Sequence, residues 1–160
     1  MYPLSSNGLN KETKTAVYFF TPAFHPLDSF SAHTVKIWGV IFPTAEHAYH
    51  WKKFAKTRPD IAEKILAAPS PHTAKEIADA HKVNLPKNWH DKKVFIMEEI
   101  FRAKAKQHTD VRETLKRTGK RQIVENSPVD DFWGTGPNKT GKNVTGQLWM
   151  KIRNEQKFQK

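Results

Sequence analysis

The chain has 160 residues, a hydrophobic content of 38% and no cysteine, which excludes wholesale disorder, disulfide scaffolds, thiolate metal sites and cysteine nucleophiles together. One domain of this length buries about two-thirds of its unfolded surface. A formal net charge of +11 points to an anionic partner, although the lysines are spread evenly and a solvated basic surface meets the same composition.

Residues 1–14 read as a polar lead-in and 15–157 as the domain. The lead-in has no charged n-region followed by an apolar run, so no signal peptide is expected. No segment reaches the length of a membrane span, and a cytoplasmic location without a membrane partner is the expectation. Ala16 to Phe20 read as a strand. Val35–Ile37 and Val40–Phe42, joined by Trp38-Gly39, read as a hairpin.

From Thr44 onward helices dominate. Pro43 has no amide to donate and Thr44 can cap free amides, so a helix starts there and runs to about Thr57. Ala48, Trp51 and Ala55 repeat at a helical period along it. Glu46 sits in the first turn, His50 follows four residues later, and Lys53 returns to nearly the same azimuth about 10 Å along the axis. A carboxylate, an imidazole and an ammonium thus share one face beside Tyr49 and Trp51. Ordinary surface pairs have the same spacing.

A second helix starts at Pro59, and a third follows the break at Pro69-Ser70-Pro71 and runs to about His81. A long one covers about Trp89 to Gln107. On it Met97, Ile100 and Lys104 form one stripe, which puts a lysine among apolar residues. Burial would lower its pKa and make it a nucleophile, whereas snorkelling would leave it inert. A short helix starts at Asp110 with Glu113 in capping position and ends at Thr118-Gly119. Gln122 to Glu125 read as a small strand. Asn126 to Gly141 form a long loop, and a last helix buries Val144, Leu148 and Ile152.

That loop carries Asp130, Asp131, Phe132 and Trp133, then Gly134, Gly136 and Gly141. Adjacent acids beside an indole suit a polar pocket with a stacking wall, and equally a capping turn anchored by Trp133. Gly136 to Asn143 follows the phosphate-loop pattern except at its last position, where Asn143 has no hydroxyl for magnesium and no buried strand precedes the loop. Its amides and Lys142 could still cradle one phosphate at the helix start. The Glu46-His47 pair with His50 is not a metalloprotease helix, so neither metal nor cofactor is expected.

Several segments together resemble the YbiA-like, or NADAR, family. They are Phe30-Ser31, Phe42-Pro-Thr-Ala-Glu46-His47, Lys53-Phe54, Trp89, Met97, Arg102-Ala-Lys104 and Thr118-Gly119. Ile123-Val-Glu125, Asp130, Phe132-Trp133-Gly134, Gly136, Gly141-Lys-Asn143, Gly146, Met150 and Arg153 extend the match. The resemblance implies an α+β fold, mainly α, as a single helical domain with a small β-sheet. It implies hydrolysis of the C1′–N bond of a phosphorylated ribosylamine, such as a ribosylaminopyrimidine phosphate of early riboflavin synthesis. The alternatives it leaves are release of ADP-ribose from modified guanine, with nucleic acid as partner, or binding of ADP-ribose without turnover. Two positions depart from the pattern: Ala32-His33 stands where Asn-Phe is frequent, and Ala105 replaces an aromatic.

Cleaving C1′–N requires a leaving amine made neutral and a ribose cation stabilised, which two carboxylates can do. Glu46 and Asp130 are the candidates. Alternatively a lysine captures C1′ as an imine, with Lys104 preferred and Lys53 second because Glu46 would keep Lys53 protonated. Phe30, Trp89 and Trp133 would stack or wall the pocket with His47 and Gly134 beside them. Lys142, Asn143 and Arg153 would hold phosphate.

Overall fold

The computed structural model describes residues 8–20 and 25–155. Among them are five strands and six α-helices, in the order β1 (Lys11–Glu12), β2 (Ala16–Phe19), β3 (Val35–Ile37), β4 (Val40–Phe42), α1 (Ala45–Phe54), α2 (Pro59–Leu66), α3 (Pro71–Ala80), α4 (Trp89–Gln107), α5 (Thr109–Thr118), β5 (Gln122–Glu125) and α6 (Val144–Glu155). The mainly helical α+β architecture expected from the sequence is the one observed. None of these helices is long and apolar enough to cross a membrane. The chain divides into two compact units. One comprises the chain up to Asp28 and from His108 onward, the other Ser29–Gln107.

In the first unit β2 is the centre of a three-stranded sheet, antiparallel to β1 and parallel to β5. β1 lies inside the stretch read as lead-in. Its side chains are exposed, so no apolar alternation announced it. Parallel partners need a long crossover, and here most of the chain separates β2 from β5. Helix α6 packs on β5 at a close approach that only glycine permits, since a Cβ at Gly146 would fall 2.0 Å from the Ile123 carbonyl oxygen. Phe19, Ile123, Leu148, Trp149 and Ile152 are buried in this unit, and the Trp149 indole donates to the Leu27 carbonyl at 2.8 Å.

Helix α5 starts one residue earlier than expected, with His108 at the N-cap and no side-chain cap bond. Asp110 is already helical and its carboxylate accepts from the Val111 amide at 2.9 Å, so the expected capping box does not form.

In the second unit β3 and β4 form the expected hairpin. Its two turn residues, Trp38 and Gly39, have φ of 53° and 76°, the left-handed pair that a two-residue hairpin turn demands. Tryptophan is costly there. It is held by stacking on Trp51, with ring centroids 6.1 Å apart. Helices α1 to α3 enclose a core of Phe54, Ile61, Ala62, Ile65, Ala68, Ala74 and Ala78. Proline at the first position starts both α2 and α3, and the Ser70 hydroxyl caps α3 by accepting from the Thr73 amide at 3.1 Å.

Candidate active site

Thr44 starts α1 as expected, its side chain accepting from the His47 amide at 3.2 Å. The first six residues of the helix, Ala45 to His50, are all buried. Glu46 and His50 are therefore not a solvated surface pair. Glu46 is 8% exposed, and its backbone amide donates to the Ser29 carbonyl at 3.0 Å. The Ser29 hydroxyl donates to Glu46 Oε2 at 2.7 Å, and His50 Nε2 lies 2.7 Å from Oε1. Burial pushes the carboxyl pKa up, but the charge and hydrogen bond of His50, the Ser29 hydroxyl and Lys53 together outweigh it and hold Glu46 below its ordinary range. Glu46 is a carboxylate at neutral pH, suited to facing positive charge or orienting water, and not a reservoir of acid.

Lys53, two turns along, is half-buried. Its Nζ lies 4.9 Å from the Tyr49 ring centre and 5.9 Å from that of Trp89. Burial lowers its pKa to about 8, against the opposing pull of Glu46 and Asp79. Glu46 pulls the Lys53 pKa up as expected, but desolvation is the larger effect and leaves a neutral fraction at pH 7.

Lys104 is fully buried and its Nζ donates to the Ser31 hydroxyl at 2.7 Å. Ser31 Oγ in turn lies 2.8 Å from His33 Nδ1. Snorkelling is excluded, but so is ready access of a substrate carbon to this amine. The order of preference between the two lysines reverses, and Lys53 becomes the stronger nucleophile candidate.

Three other candidates in this unit have structural surroundings. His47 is 1% exposed. Its Nε2–H donates to the Ala68 carbonyl at 3.0 Å, which leaves Nδ1 to accept from the Thr44 hydroxyl at 2.8 Å. With both nitrogens engaged it ties α1 to the α2–α3 connection and has no group left for substrate. Burial lowers its pKa, partly countered by the Ala68 carbonyl and Glu46. Trp89 is 3% exposed and packs against Tyr49, centroids 5.3 Å apart, so it braces the surroundings of Lys53. Phe30 is half-buried and meets the exposed His72 edge-on at 4.8 Å. It retains surface for a ligand.

The remaining candidates belong to the first unit. Asp130 Oδ1 accepts from the amides of Phe132 and Trp133 at 2.9 and 2.7 Å, which is the capping turn weighed from the sequence. Trp133 is half-buried, edge-on to Phe132 at 5.0 Å. Gly134 is a packing glycine, since a Cβ would lie 2.8 Å from the Glu125 carbonyl oxygen.

The amide cradle for phosphate does not exist. The amides of Lys142, Asn143, Val144 and Thr145 donate to the carbonyls of Asp131, Gly134, Phe132 and Trp133. Asn143 is likewise structural: its Oδ1 accepts from the Glu125 amide at 2.9 Å and its Nδ2 donates to the Ile123 carbonyl at 2.9 Å, completing β5 as a neighbouring strand would. Arg153 Nη1 donates to Thr118 Oγ1 and the Arg121 carbonyl at 2.9 and 2.7 Å. Of the three phosphate candidates only Lys142 keeps an exposed cation, with Nζ 5.6 Å from the Phe132 ring centre.

Sequence reasoning missed Ser29. It lies 17 residues before its partner Glu46, and no spacing rule connects a turn serine to a helix carboxylate at that separation.

Residues 10–157 match the NADAR domain model. The chain belongs to the NADAR family. It is 35% identical over 142 residues to an N-glycosidase of Nostoc punctiforme, covering 87% of this chain and 91% of that relative. It is 30% identical over 148 residues to the N-glycosidase YbiA of Escherichia coli, covering 91% of each. The NMR structure of E. coli YbiA has a TM-score of 0.77 to this NADAR chain at 28% identity, covering 92% of this chain and 88% of that one. A riboflavin biosynthesis protein of Vibrio vulnificus is 30% identical over 141 residues, which cover 87% of this chain and 38% of that protein.

Proposed function

We propose that this NADAR domain hydrolyses the C1′–N bond of a phosphorylated ribosylamine, with ribosylaminopyrimidine phosphates of early riboflavin synthesis as the preferred class. The reaction class, hydrolysis of an N-glycosyl bond, is that of its named relatives in Nostoc and Escherichia. The substrate class draws on the Vibrio relative's name. The observation that carries the reading is the Glu46 carboxylate, held ionised and oriented from both oxygens, one helix face from an amine whose pKa is about 8.

As the C1′–O4′ bond of the glycosylamine opens, O4′ takes a proton and positive charge gathers on C1′ and the base nitrogen doubly bonded to it. A fixed carboxylate in a water-poor setting stabilises that charge without reorganising. Roughly a tenth of Lys53 is neutral at pH 7 when its pKa is about 8. The neutral amine adds to C1′, forming a C–N bond while the second pair of the C1′=N bond moves to the base nitrogen. The nitrogen of the base leaves with the electrons of the old bond and takes a proton. The resulting imine adds water and collapses, returning the amine and releasing the phosphosugar. In the second unit Phe30 offers aromatic surface for the base. The first unit, taken by itself, carries the other proposed groups: Asp130 as a carboxylate, Trp133 as an aromatic face and Lys142 as a cation for phosphate.

Incubation of the protein with a ribosylaminopyrimidine 5′-phosphate and, separately, with ADP-ribosylated DNA tests the reading. Release of free pyrimidine amine and ribose phosphate supports it. Release of ADP-ribose from DNA alone replaces it with the second substrate class, and binding without release from either makes the protein a recognition module.

A further inference from the structure

His50 takes no part in the chemistry above, yet it is 4% exposed and its Nε2 sits 2.7 Å from Glu46 Oε1. An ionised carboxylate only accepts hydrogen bonds, so Nε2 carries a proton and donates. Nδ1 of His50 is buried and has no hydrogen-bond partner among the described residues.

Leaving a buried polar nitrogen unsatisfied costs free energy whether or not it carries a proton. An apolar side chain of similar volume would avoid that cost at the junction of α1 with its neighbours. What histidine supplies here and leucine would not is the Nε2–H directed at Glu46. The opposite oxygen, Oε2, is held by the Ser29 hydroxyl, and the helix amide of Glu46 is bound to the Ser29 carbonyl. Each carboxylate oxygen therefore has one fixed donor, and the two donors come from different parts of the chain. Rotation about the last side-chain bond would break both at once.

We propose that His50 is the positioning residue of Glu46: its Nε2–H, acting with the Ser29 hydroxyl, locks the carboxylate in one orientation toward C1′ of the substrate. This rests on the role given to Glu46 above. His50 itself does not touch the reacting atoms, and the unpartnered Nδ1 is the cost of placing Nε2 correctly. Misplacing a reacting group by about an ångström can lower a rate a hundredfold, so the effect belongs to turnover and not to substrate binding.

Two variants separate the donor from the bulk. His50→Leu keeps the volume and removes the donor, while His50→Gln keeps an amide donor able to reach a carboxylate four residues earlier. On a ribosylaminopyrimidine 5′-phosphate, His50→Leu should lower kcat about tenfold to a hundredfold with KM within about twofold, and His50→Gln should recover most of it. Independently of turnover, a two-dimensional nitrogen–proton spectrum of the wild-type imidazole should show a proton on Nε2. Wild-type kcat in His50→Leu would overturn the proposal. So would a His50→Gln variant that melts like wild type but turns over as slowly as His50→Leu. The Nδ1–H tautomer would overturn it whatever the kinetics, and decides the matter if His50→Leu does not fold. A wild-type protein inactive on this substrate, but with a proton on Nε2, would refute the substrate reading and leave the lock on Glu46 supported.

Discussion

Lys104 on α4 and Ser31, 73 residues apart, meet at 2.7 Å between Nζ and Oγ with both side chains fully buried. Ser31 follows Phe30, which follows the Ser29 that binds Glu46. The segment Ser29–Ser31 is thus anchored at one end by α1 and at the other by α4, with Phe30 between. An amine so placed holds Ser31 in position and is shielded from solvent.

If an imine forms, borohydride added during turnover should trap the phosphosugar on Lys53. Peptide mapping of the wild-type protein reads this directly. Lys53→Arg should abolish the adduct while keeping a positive charge. An adduct on Lys104 would restore the order expected from the sequence, and no adduct during active turnover would favour direct attack by water.

Glu46→Gln should lower turnover at least about a hundredfold while leaving an amide oxygen for the Ser29 hydroxyl to bind. The carboxyl pKa is lower folded than unfolded. Its ionisation therefore stabilises the fold fully above the ordinary glutamate pKa, and the contribution is lost as pH falls through the lower folded value. Comparing urea melts of wild type and Glu46→Gln over that acid range should show the wild-type advantage shrinking as pH falls.

Lys53 shifts in the same direction, but in the alkaline range. Its pKa falls from 10.5 to about 8 on folding, so between those values the unfolded chain binds more protons and stability should rise with pH. Lys53→Met should flatten that rise in alkaline urea melts. The rate should also climb toward about pH 8 as the amine loses its proton, and this limb should be absent if Lys53 is not the nucleophile.

Lys142→Ala should weaken binding of the phosphorylated substrate and leave the unphosphorylated nucleoside analogue unchanged, as measured by calorimetry. Added salt should erode the wild-type advantage, since an exposed cation is screened. Equal losses for both ligands would remove Lys142 from the phosphate site.

Asn143→Ala should cost about 1–3 kcal/mol of stability by stranding the Glu125 amide and the Ile123 carbonyl at the edge of β5. Asp130→Asn retains an Oδ1 able to accept from Phe132 and Trp133, so its melting point should stay near wild type. A large fall in turnover in that variant would assign Asp130 a chemical role beyond its turn, and unchanged turnover would confine it to the turn.

The elements legible in the sequence were those written in neighbouring residues. Pro43 with Thr44, Pro59, and Ser70 with Pro71 each mark a helix start through a missing amide or a capping hydroxyl, and the β3–β4 hairpin is specified by two short strands across a two-residue turn. The azimuth shared by Glu46, His50 and Lys53 follows from helical periodicity alone. Periodicity says which residues share a face and nothing about what covers that face. Only the tertiary structure buried Glu46 and supplied Ser29 from a distant turn, and only there did desolvation of Lys53 exceed the attraction of Glu46. The same holds at α6. Its glycine-rich approach looks like a phosphate loop in sequence, but the fold returns the carbonyls of Asp131 to Gly134 to those amides. A backbone donor binds whichever acceptor the folded chain brings within reach, and that choice is made by contacts far apart in sequence.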